Sequence, residues 1–177
     1  AHQADNAAVA LAAVEAFLGF AGGLDPDVVR TGFAAVRSPG RLEVIRREGA
    51  APVVLDGAHN PGGMASLAAA LRDEFAFRSR VVVVGMLGDK DVEGMVASLL
   101  PLAAHVVVTQ PPSVRAAPAD RLAKAVRTAG GSVEVAADVA EALDLACGLA
   151  TPSDAVVVTG SLYTVGAARD ALGLPVA

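Results

Sequence analysis

The chain has only one cysteine, fewer basic than acidic residues, and no cluster of cysteine and histidine. Cys147 has no second cysteine to pair with, so an intramolecular disulfide is excluded. Its surroundings have the pattern of an amphipathic helix, which favours a core thiol over a nucleophile. Lys and Arg number 14 against 19 Asp and Glu, for a formal net charge of -5. This balance argues against a large interface with nucleic-acid phosphates, and the missing Cys/His cluster argues against zinc.

A long uncharged segment that could span a membrane is also missing, although hydrophobic residues make up 54% of the 177 positions. The longest stretch without Asp, Glu, Lys or Arg, 94–114, contains three prolines and a histidine, so it cannot form one continuous helix. The opening segment is interrupted by Asp5 and Glu15 and has no basic region, so we expect no signal peptide in it. We therefore expect a cytoplasmic monomer with no membrane contact.

Residues 1–36 predict two helices with no strand of their own. Alanine, valine and leucine dominate 5–20, which predicts one helix, and a glycine pair ends it. Asp25 as N-cap and Pro26 as first helical residue predict a second helix, which extends to a Pro-Gly linker at 37–40. A helix pair without a sheet is typical of the edge of a neighbouring domain, so we expect the chain to be part of a longer protein.

From residue 41 to 177, short β-branched runs alternate with helical segments. This alternation predicts an α/β fold in which a Rossmann-like, mostly parallel six-stranded sheet has helices on both faces. The connection between the first two strands is too short for a crossover, so this pair is predicted to be antiparallel. The strands are predicted at 42–46, 53–55, 81–85, 105–109, 132–135 and 155–159, and the helices at 61–74, 92–100, 119–128, 139–149 and 162–172.

The segment Asp56-Gly57-Ala58-His59-Asn60-Pro61 joins a hydrophobic strand directly to a helix. Open α/β sheets bind ligands at the carboxyl ends of their strands, and the free N–H groups of the following helix favour an anion or a ribose diol there. Asn60 and Pro61 suit the N-cap and the first helical position. The alternative at this point is an Asx turn with an N-cap and no ligand.

Four further segments accompany this one in a fixed order. The five are Ala1-His2-Gln3-Ala4-Asp5-Asn6-Ala7-Ala8, Ser38-Pro39-Gly40-Arg41-Leu42-Glu43, Asp56 to Pro61, Gly88-Asp89-Lys90-Asp91, and Thr159-Gly160-Ser161-Leu162-Tyr163. Together they resemble the folylpolyglutamate synthase and dihydrofolate synthase family of the Mur ligase superfamily. The resemblance covers nearly the whole chain. It implies a C-terminal ligase domain at 41–177, preceded at 1–36 by the last helices of a central ATP-binding domain.

The resemblance implies an ATP-dependent ligase that adds L-glutamate to dihydropteroate or reduced folates. In such a reaction MgATP phosphorylates a carboxylate, and the glutamate amine then displaces phosphate to form an amide. The implied site residues are Arg41 at the nucleotide phosphates as the catalytic cation, Asp56 at the ribose, Gln3 and Asn6 near the adenine, and His59 and Ser161 at L-glutamate. Lys90 is predicted to lie in a turn capped by Asp91, or else to contact a ligand.

The chain contains no Gly-Lys-Ser or Gly-Lys-Thr of a phosphate-binding loop. By the resemblance, that loop and the magnesium ligands belong to an N-terminal ATPase domain, which would be the partner of this chain, so the chain alone is expected to be inactive. Two alternatives stay open at this point. One is a stand-alone Rossmann-like module that binds a nucleotide or another ligand, and the other is the C-terminal domain of a cell-wall Mur ligase.

Overall fold

A computed structural model describes residues 2–19 and 22–175, except for the side chains of His2 and Gln3. The chain divides into two compact units, Ala1–Ser38 and Pro39–Ala177. The division falls within the linker predicted at 37–40.

The described residues form α-helices, one 3-10 helix and a six-stranded sheet. The α-helices are α1 (His2–Leu18), α2 (Pro26–Ala35), α3 (Pro61–Asp73), α4 (Val92–Leu99), α5 (Ala119–Thr128), α6 (Val139–Leu149) and α7 (Leu162–Ala171), and the 3-10 helix is Leu100–Leu102. The strands are β1 (Glu43–Ile45), β2 (Val53–Leu55), β3 (Arg80–Val84), β4 (His105–Val108), β5 (Val133–Val135) and β6 (Ala155–Thr159). All elements predicted after residue 41 are found, whereas α1 begins before the predicted position 5.

The first unit consists of α1 and α2 and the connection between them. Asp25 caps α2 by accepting a hydrogen bond from the N–H of Asp27 at 2.7 Å, and Pro26 takes the first helical position, as predicted. No residue of α2 is buried, and Phe17 of α1 is 89% exposed. The described part of this unit therefore leaves large apolar side chains in contact with solvent.

The second unit is built on one sheet with the strand order β1-β2-β6-β3-β4-β5. The pair β1–β2 is antiparallel and all other pairs are parallel, which confirms the predicted fold class. The last strand of the chain, β6, lies between β2 and β3, so the carboxyl ends of these three strands are neighbours. This arrangement determines which turns can form a common site.

Both faces of the sheet are covered by helices. Alternate residues of β3 enter opposite cores, with Val82 and Val84 on one face and Val81 and Val83 on the other. The first face packs against α3, α4 and α5 through side chains that include Met64, Leu67, Met95 and Leu122, and the second against α6 and α7 through Leu143, Ala146, Val165 and Ala168. Burial on both faces explains the uninterrupted valine runs. Among the helices of the described residues, none has both the length and the apolarity that crossing a bilayer requires.

A buried carboxylate connects the loop before β6 to the segment before β3. Asp154 receives hydrogen bonds from Arg78 Nε at 3.1 Å and from the N–H and hydroxyl of Thr151 at 2.8 and 2.6 Å. These bonds from Arg78 and Thr151, together with the positive charge of Arg78, hold the pKa of Asp154 well below its ordinary value. The ionised form of Asp154 is therefore favoured in the folded state.

We expect Asp154→Asn to destabilise the protein near neutral pH and to do so less as the pH falls. A carboxyl group whose pKa is lower in the folded state adds stability above its unfolded pKa, about 3.9 for Asp, and this stability is lost as the pH falls towards the folded value. Urea denaturation of the unaltered protein and of Asp154→Asn, near pH 7 and near pH 3, gives the difference in free energy of unfolding at each pH.

The matched control is Asp73→Asn, which alters an exposed acid whose ion pair, in the described part of the chain, is with its neighbour Arg72. This change should shift the free energy of unfolding by less than about 0.5 kcal/mol at either pH. Destabilisation by Asp154→Asn that is equal at both pH values would contradict the role given to the ionised carboxylate.

Candidate functional site

The turns after β2, β6 and β3 lie side by side and carry several of the residues predicted for ligand binding. Asp56 follows β2, Gly160 and Ser161 follow β6, and Gly85 follows β3. Gly160 has φ +105°, and a Cβ atom at this position would lie 2.5 Å from the carbonyl oxygen of Gly85. The turns after β6 and β3 thus touch through their backbones, which only glycine permits here.

Asp56 is 6% exposed, and both of its carboxylate oxygens accept backbone hydrogen bonds. Oδ2 accepts from the N–H of Leu42 and Oδ1 from the N–H of Ala58, each at 2.9 Å. Each oxygen keeps a second lone pair for a ligand. The sequence predicted a ligand-binding acid at this position. The structure adds that the same acid connects the turn after β2 to the segment that carries Arg41.

Arg41 lies between two residues with left-handed backbone conformation. Gly40 has φ +70° and Leu42 has φ +47°, a conformation that costs a non-glycine residue about 1–2 kcal/mol. The Arg41 side chain is exposed and has no hydrogen bond or ion pair within the described residues. Arg41 directly follows the Pro-Gly linker predicted at 37–40. The backbone on both sides of Arg41 is held, because the N–H of Gly57 also binds the carbonyl of Gly40 at 2.8 Å.

Glu43 holds the other side of the Arg41 turn. Its Oε2 accepts from the N–H of Gly40 at 2.8 Å, and its Oε1 pairs with Arg169 of α7. Burial opposes ionisation of Glu43, but Arg169 and the N–H of Gly40 outweigh it, so the pKa of Glu43 lies below its ordinary value. Arg169 also donates to the carbonyl of Pro175 at 2.8 Å. The Arg41 turn is thereby attached to the last helix.

His59 and Asn60 form the entrance to α3. Asn60 is the N-cap and accepts from the N–H of Gly63 at 2.7 Å, as predicted. His59 is half-buried, and its Nδ1 lies 2.8 Å from the carbonyl oxygen of Gly57. Because a carbonyl oxygen can only accept, Nδ1 carries the proton in this arrangement. The other nitrogen, Nε2, is then an acceptor in the neutral ring and a donor only in the imidazolium.

Ser161 is the buried N-cap of α7. Its Oγ accepts from the N–H of Thr164 at 3.0 Å and lies 2.8 Å from Thr164 Oγ1. Thr164 Oγ1 donates to the carbonyl of Gly85 at 2.7 Å, so its oxygen accepts the Ser161 proton. The sequence predicted Ser161 but not Thr164. The sequence signal that could have indicated Thr164 is its position three residues after the N-cap serine.

The turn predicted at Asp89-Lys90-Asp91 follows β3. Asp91 caps α4 by accepting from the N–H of Gly94 at 2.9 Å, while Lys90 Nζ and Arg115 Nη2 lie 3.5 and 3.0 Å from Asp89 Oδ2. Partial desolvation opposes ionisation of Asp89, but its own N–H, Lys90 and Arg115 lower the pKa of Asp89. No local pattern in the sequence pointed to Arg115, which comes from the loop after β4.

The second unit therefore carries Arg41, Asp56, His59 and Ser161 on turns that are joined by backbone hydrogen bonds. The N–H of Gly160 donates to the carbonyl of Ala58 at 3.1 Å, which links the Asp56 turn to the Ser161 turn. The predicted adenine-side residues are in the first unit: Asn6 is an exposed residue of α1, and the side chain of Gln3 lies outside the described residues. In the part of the chain that is described, no three His, Cys, Asp or Glu side chains form a group that could hold a metal ion.

Known proteins share both this sequence and this fold. Residues 40–162 match the family described as "Mur ligase, glutamate ligase domain". The dihydrofolate synthase/folylpolyglutamate synthase of Mycobacterium tuberculosis is 46% identical over 190 residues, which cover 97% of this chain and 38% of that protein. The chain thus spans well under half the length of this curated relative.

Two solved structures have the same architecture. Mycobacterium tuberculosis folylpolyglutamate synthase complexed with ADP matches with a TM-score of 0.90 at 45% identity, covering 98% of this chain and 40% of that chain. A bifunctional folylpolyglutamate synthase/dihydrofolate synthase with Mn, AMPPNP and L-glutamate bound matches with a TM-score of 0.76 at 32% identity, covering 85% of this chain and 36% of that chain. The chain therefore belongs to the Mur ligase family, contains its glutamate ligase domain, and is similar to the folylpolyglutamate/dihydrofolate synthases within it.

Proposed function

We propose that this chain is the C-terminal part of an ATP-dependent ligase that joins L-glutamate to dihydropteroate, to reduced folates, or to both. The observation that carries the proposal is the edge at which Arg41, Asp56, His59 and Ser161 occupy connected turns of a Mur ligase fold. Arg41, which has no ion pair within the described residues, is suited to phosphate, the Asp56 carboxylate to ribose, and the helix N-cap to a small acidic substrate. A cell-wall substrate is less supported, because folate enzymes dominate the strong similarities.

The proposed reaction has two steps. A substrate carboxylate oxygen attacks the γ-phosphorus of ATP and releases ADP, which gives an acyl phosphate. The amine of L-glutamate then attacks the acyl carbon, the C–O bond to phosphate breaks, and the amine loses a proton as the amide forms. Negative charge accumulates on the transferring phosphoryl group, so a cation placed beside it lowers the barrier. Arg41 supplies that cation in this proposal.

The remaining roles follow from the resemblance, and for Asp56 and His59 the geometry also supports them. Asp56 receives the ribose hydroxyls on the second lone pairs of its oxygens, and Gln3 and Asn6 lie near the adenine. His59 in its charged form donates to a carboxylate of L-glutamate, and Ser161 lies at the same substrate. Neutral His59 would offer only an acceptor at Nε2, because Nδ1 already donates to Gly57.

The remainder of the longer protein supplies what this chain lacks. The sequence has no Gly-Lys-Ser or Gly-Lys-Thr loop, and no three His, Cys, Asp or Glu side chains of the described residues form a group that could hold a metal ion; the proposal therefore places the phosphate-binding loop and the magnesium ligands in that remainder. The solvent-exposed apolar side chains of α1 and α2 support the proposal that the first unit is the last part of a central ATP-binding domain, whose remainder is the partner of this chain. We further propose that the protein acts as a cytoplasmic monomer with ATP and Mg²⁺.

The test is a glutamate ligation assay on the complete protein that contains this chain, with dihydropteroate and tetrahydrofolate as separate acceptors. We expect ATP-dependent amide formation with at least one acceptor. Asp56→Asn should raise KM for ATP about tenfold or more, because a hydrogen bond to a charged group is worth about 1.5–3 kcal/mol. The isolated chain should bind a nucleotide weakly at most and should not ligate glutamate.

The control variant is Asp138→Asn, which changes another aspartate that follows a strand. Asp138 caps α6 by accepting from the N–H of Glu141 at 2.9 Å, and asparagine caps a helix equally well, so KM for ATP should stay unchanged. Absence of ligation with either acceptor would refute the proposed function. Ligation by the isolated chain would refute its dependence on an ATPase domain and would favour a self-contained module.

A further inference from the structure

The two amide groups that flank Arg41 are each bound by a different carboxylate. The N–H of Gly40 donates to Glu43 at 2.8 Å, and the N–H of Leu42 donates to Asp56 at 2.9 Å. Both donors belong to residues in the left-handed region, with φ +70° and +47°. Two carboxylates therefore fix the backbone around Arg41 and with it the direction of the Arg41 side chain. Packing of that exposed side chain does not set this direction.

Of these acids, Asp56 also has a proposed ligand, whereas Glu43 has none. The Glu43 side chain is largely shielded from solvent, and its second oxygen pairs with Arg169 of α7, whose side chain is more shielded still. A Cβ atom at Gly40 would lie 2.7 Å from Cγ1 of Val165, so α7 also limits the turn sterically. Glu43 thus connects the Arg41 turn to α7, the helix that Ser161 caps.

We propose that Glu43, held by Arg169, is a positioning residue that sets the placement of the Arg41 guanidinium for phosphoryl transfer. This inference rests on the proposed function for its catalytic consequence. Glu43 acts through the backbone: its carboxylate fixes the N–H of Gly40, the fixed turn keeps Leu42 left-handed, and Arg41 is presented in one direction. A cation displaced by about 1 Å loses much of its effect on a developing charge, because stabilisation depends on preorganised geometry.

The test is a double-mutant cycle in the complete protein with Glu43→Gln and Arg41→Ala. Glutamine keeps an oxygen that can accept from Gly40 but loses the charge that pairs with Arg169. We expect Glu43→Gln alone to lower kcat for ligation about tenfold with KM for L-glutamate unchanged. In the Arg41→Ala background the same change should lower kcat less than twofold, because the group being positioned is gone. An equal loss in both backgrounds would overturn the proposal.

Hydrogen exchange provides a readout that does not depend on catalysis. In Glu43→Gln, the amides of residues 40–43 should exchange about tenfold faster, while those of the core strand β3 keep their rate. The matched control is Glu48→Gln, which alters an exposed glutamate in the β1–β2 connection and should change neither exchange nor kcat. Unchanged exchange at residues 40–43 would overturn the positioning role. The two proposals can fail separately. If the amides near Arg41 exchanged faster in Glu43→Gln, the amides of β3 kept their rate, and the unaltered protein did not ligate glutamate, the proposed function would be refuted and the structural role of Glu43 would stand.

Discussion

Replacing Arg41 by alanine is expected to lower kcat for ATP-dependent ligation about 100-fold or more in the complete protein, because loss of one preorganised charge-stabilising group costs about 10²–10³ in rate. The free energy of unfolding should change by less than about 0.5 kcal/mol, since the side chain is exposed and unpaired in the described part of the chain. Steady-state kinetics and urea denaturation of the same samples measure the two quantities. Arg41→Lys should recover only part of the rate, because an ammonium lacks the planar fork of a guanidinium.

Arg37 provides the comparison for this change. It is also an exposed arginine, four positions earlier, and within the described residues its Nη1 donates to the backbone carbonyls of Ala34 and Val36 alone. Arg37→Ala should leave kcat within twofold of the unaltered protein, because a surface substitution away from a special feature usually changes a free energy by no more than about 0.5 kcal/mol. If the two variants lost activity equally, a general effect of positive charge near the linker would explain the result, and the specific role of Arg41 would be wrong.

Gly160→Ala should produce the largest loss of stability, about 2–5 kcal/mol, because it combines backbone strain with a steric clash. Gly160 has φ +105°, and the added Cβ would lie 2.5 Å from the carbonyl oxygen of Gly85 and 3.0 Å from its carbonyl carbon. These are backbone atoms at the centre of the sheet edge, so no flexible side chain can move away. Thermal and urea denaturation of the second unit measure the loss, and the turn that carries Ser161 should be displaced with it.

Gly166→Ala makes the same chemical change six residues later, and we expect it to raise stability where Gly160→Ala lowers it. Gly166 lies inside α7 with no other heavy atom near the position of an added Cβ. Alanine should therefore stabilise the helix by up to about 1 kcal/mol. If both substitutions destabilised the protein by similar amounts, crowding in α7 rather than contact between the turns after β3 and β6 would be responsible.

The elements of the second unit could be predicted because their signals are local. The valine runs of β3 and β6, and the caps Asn60, Asp91 and Ser161, each lie within the element that they define. The antiparallel β1–β2 pair followed from a short connection. These features depend on neighbours along the chain, so a single sequence contains the needed information.

The connections within the site could not be predicted, because they join residues that are distant in sequence. Glu43 and Arg169 are separated by 126 positions, and Asp89 and Arg115 by 26. The left-handed conformation of Leu42 has no local signal either, since leucine rarely adopts it. The strand-end pattern therefore identified Asp56 as a candidate and the family resemblance identified Arg41, whereas the way in which Asp56 and Glu43 hold the Arg41 turn required the fold.

The central place of β6 has a consequence for biosynthesis. Among the described strands β6 is the last to be synthesised, yet it separates β2 from β3, so the middle of the sheet stays open until β6 has left the ribosome. Pairing of β6 with strands made long before it is a non-local and hence slow step. Until that step, the unpaired edges of β2 and β3 are exposed to other chains. Translation that stops before residue 155 should consequently yield an aggregation-prone product that lacks β6 and the turn that carries Ser161.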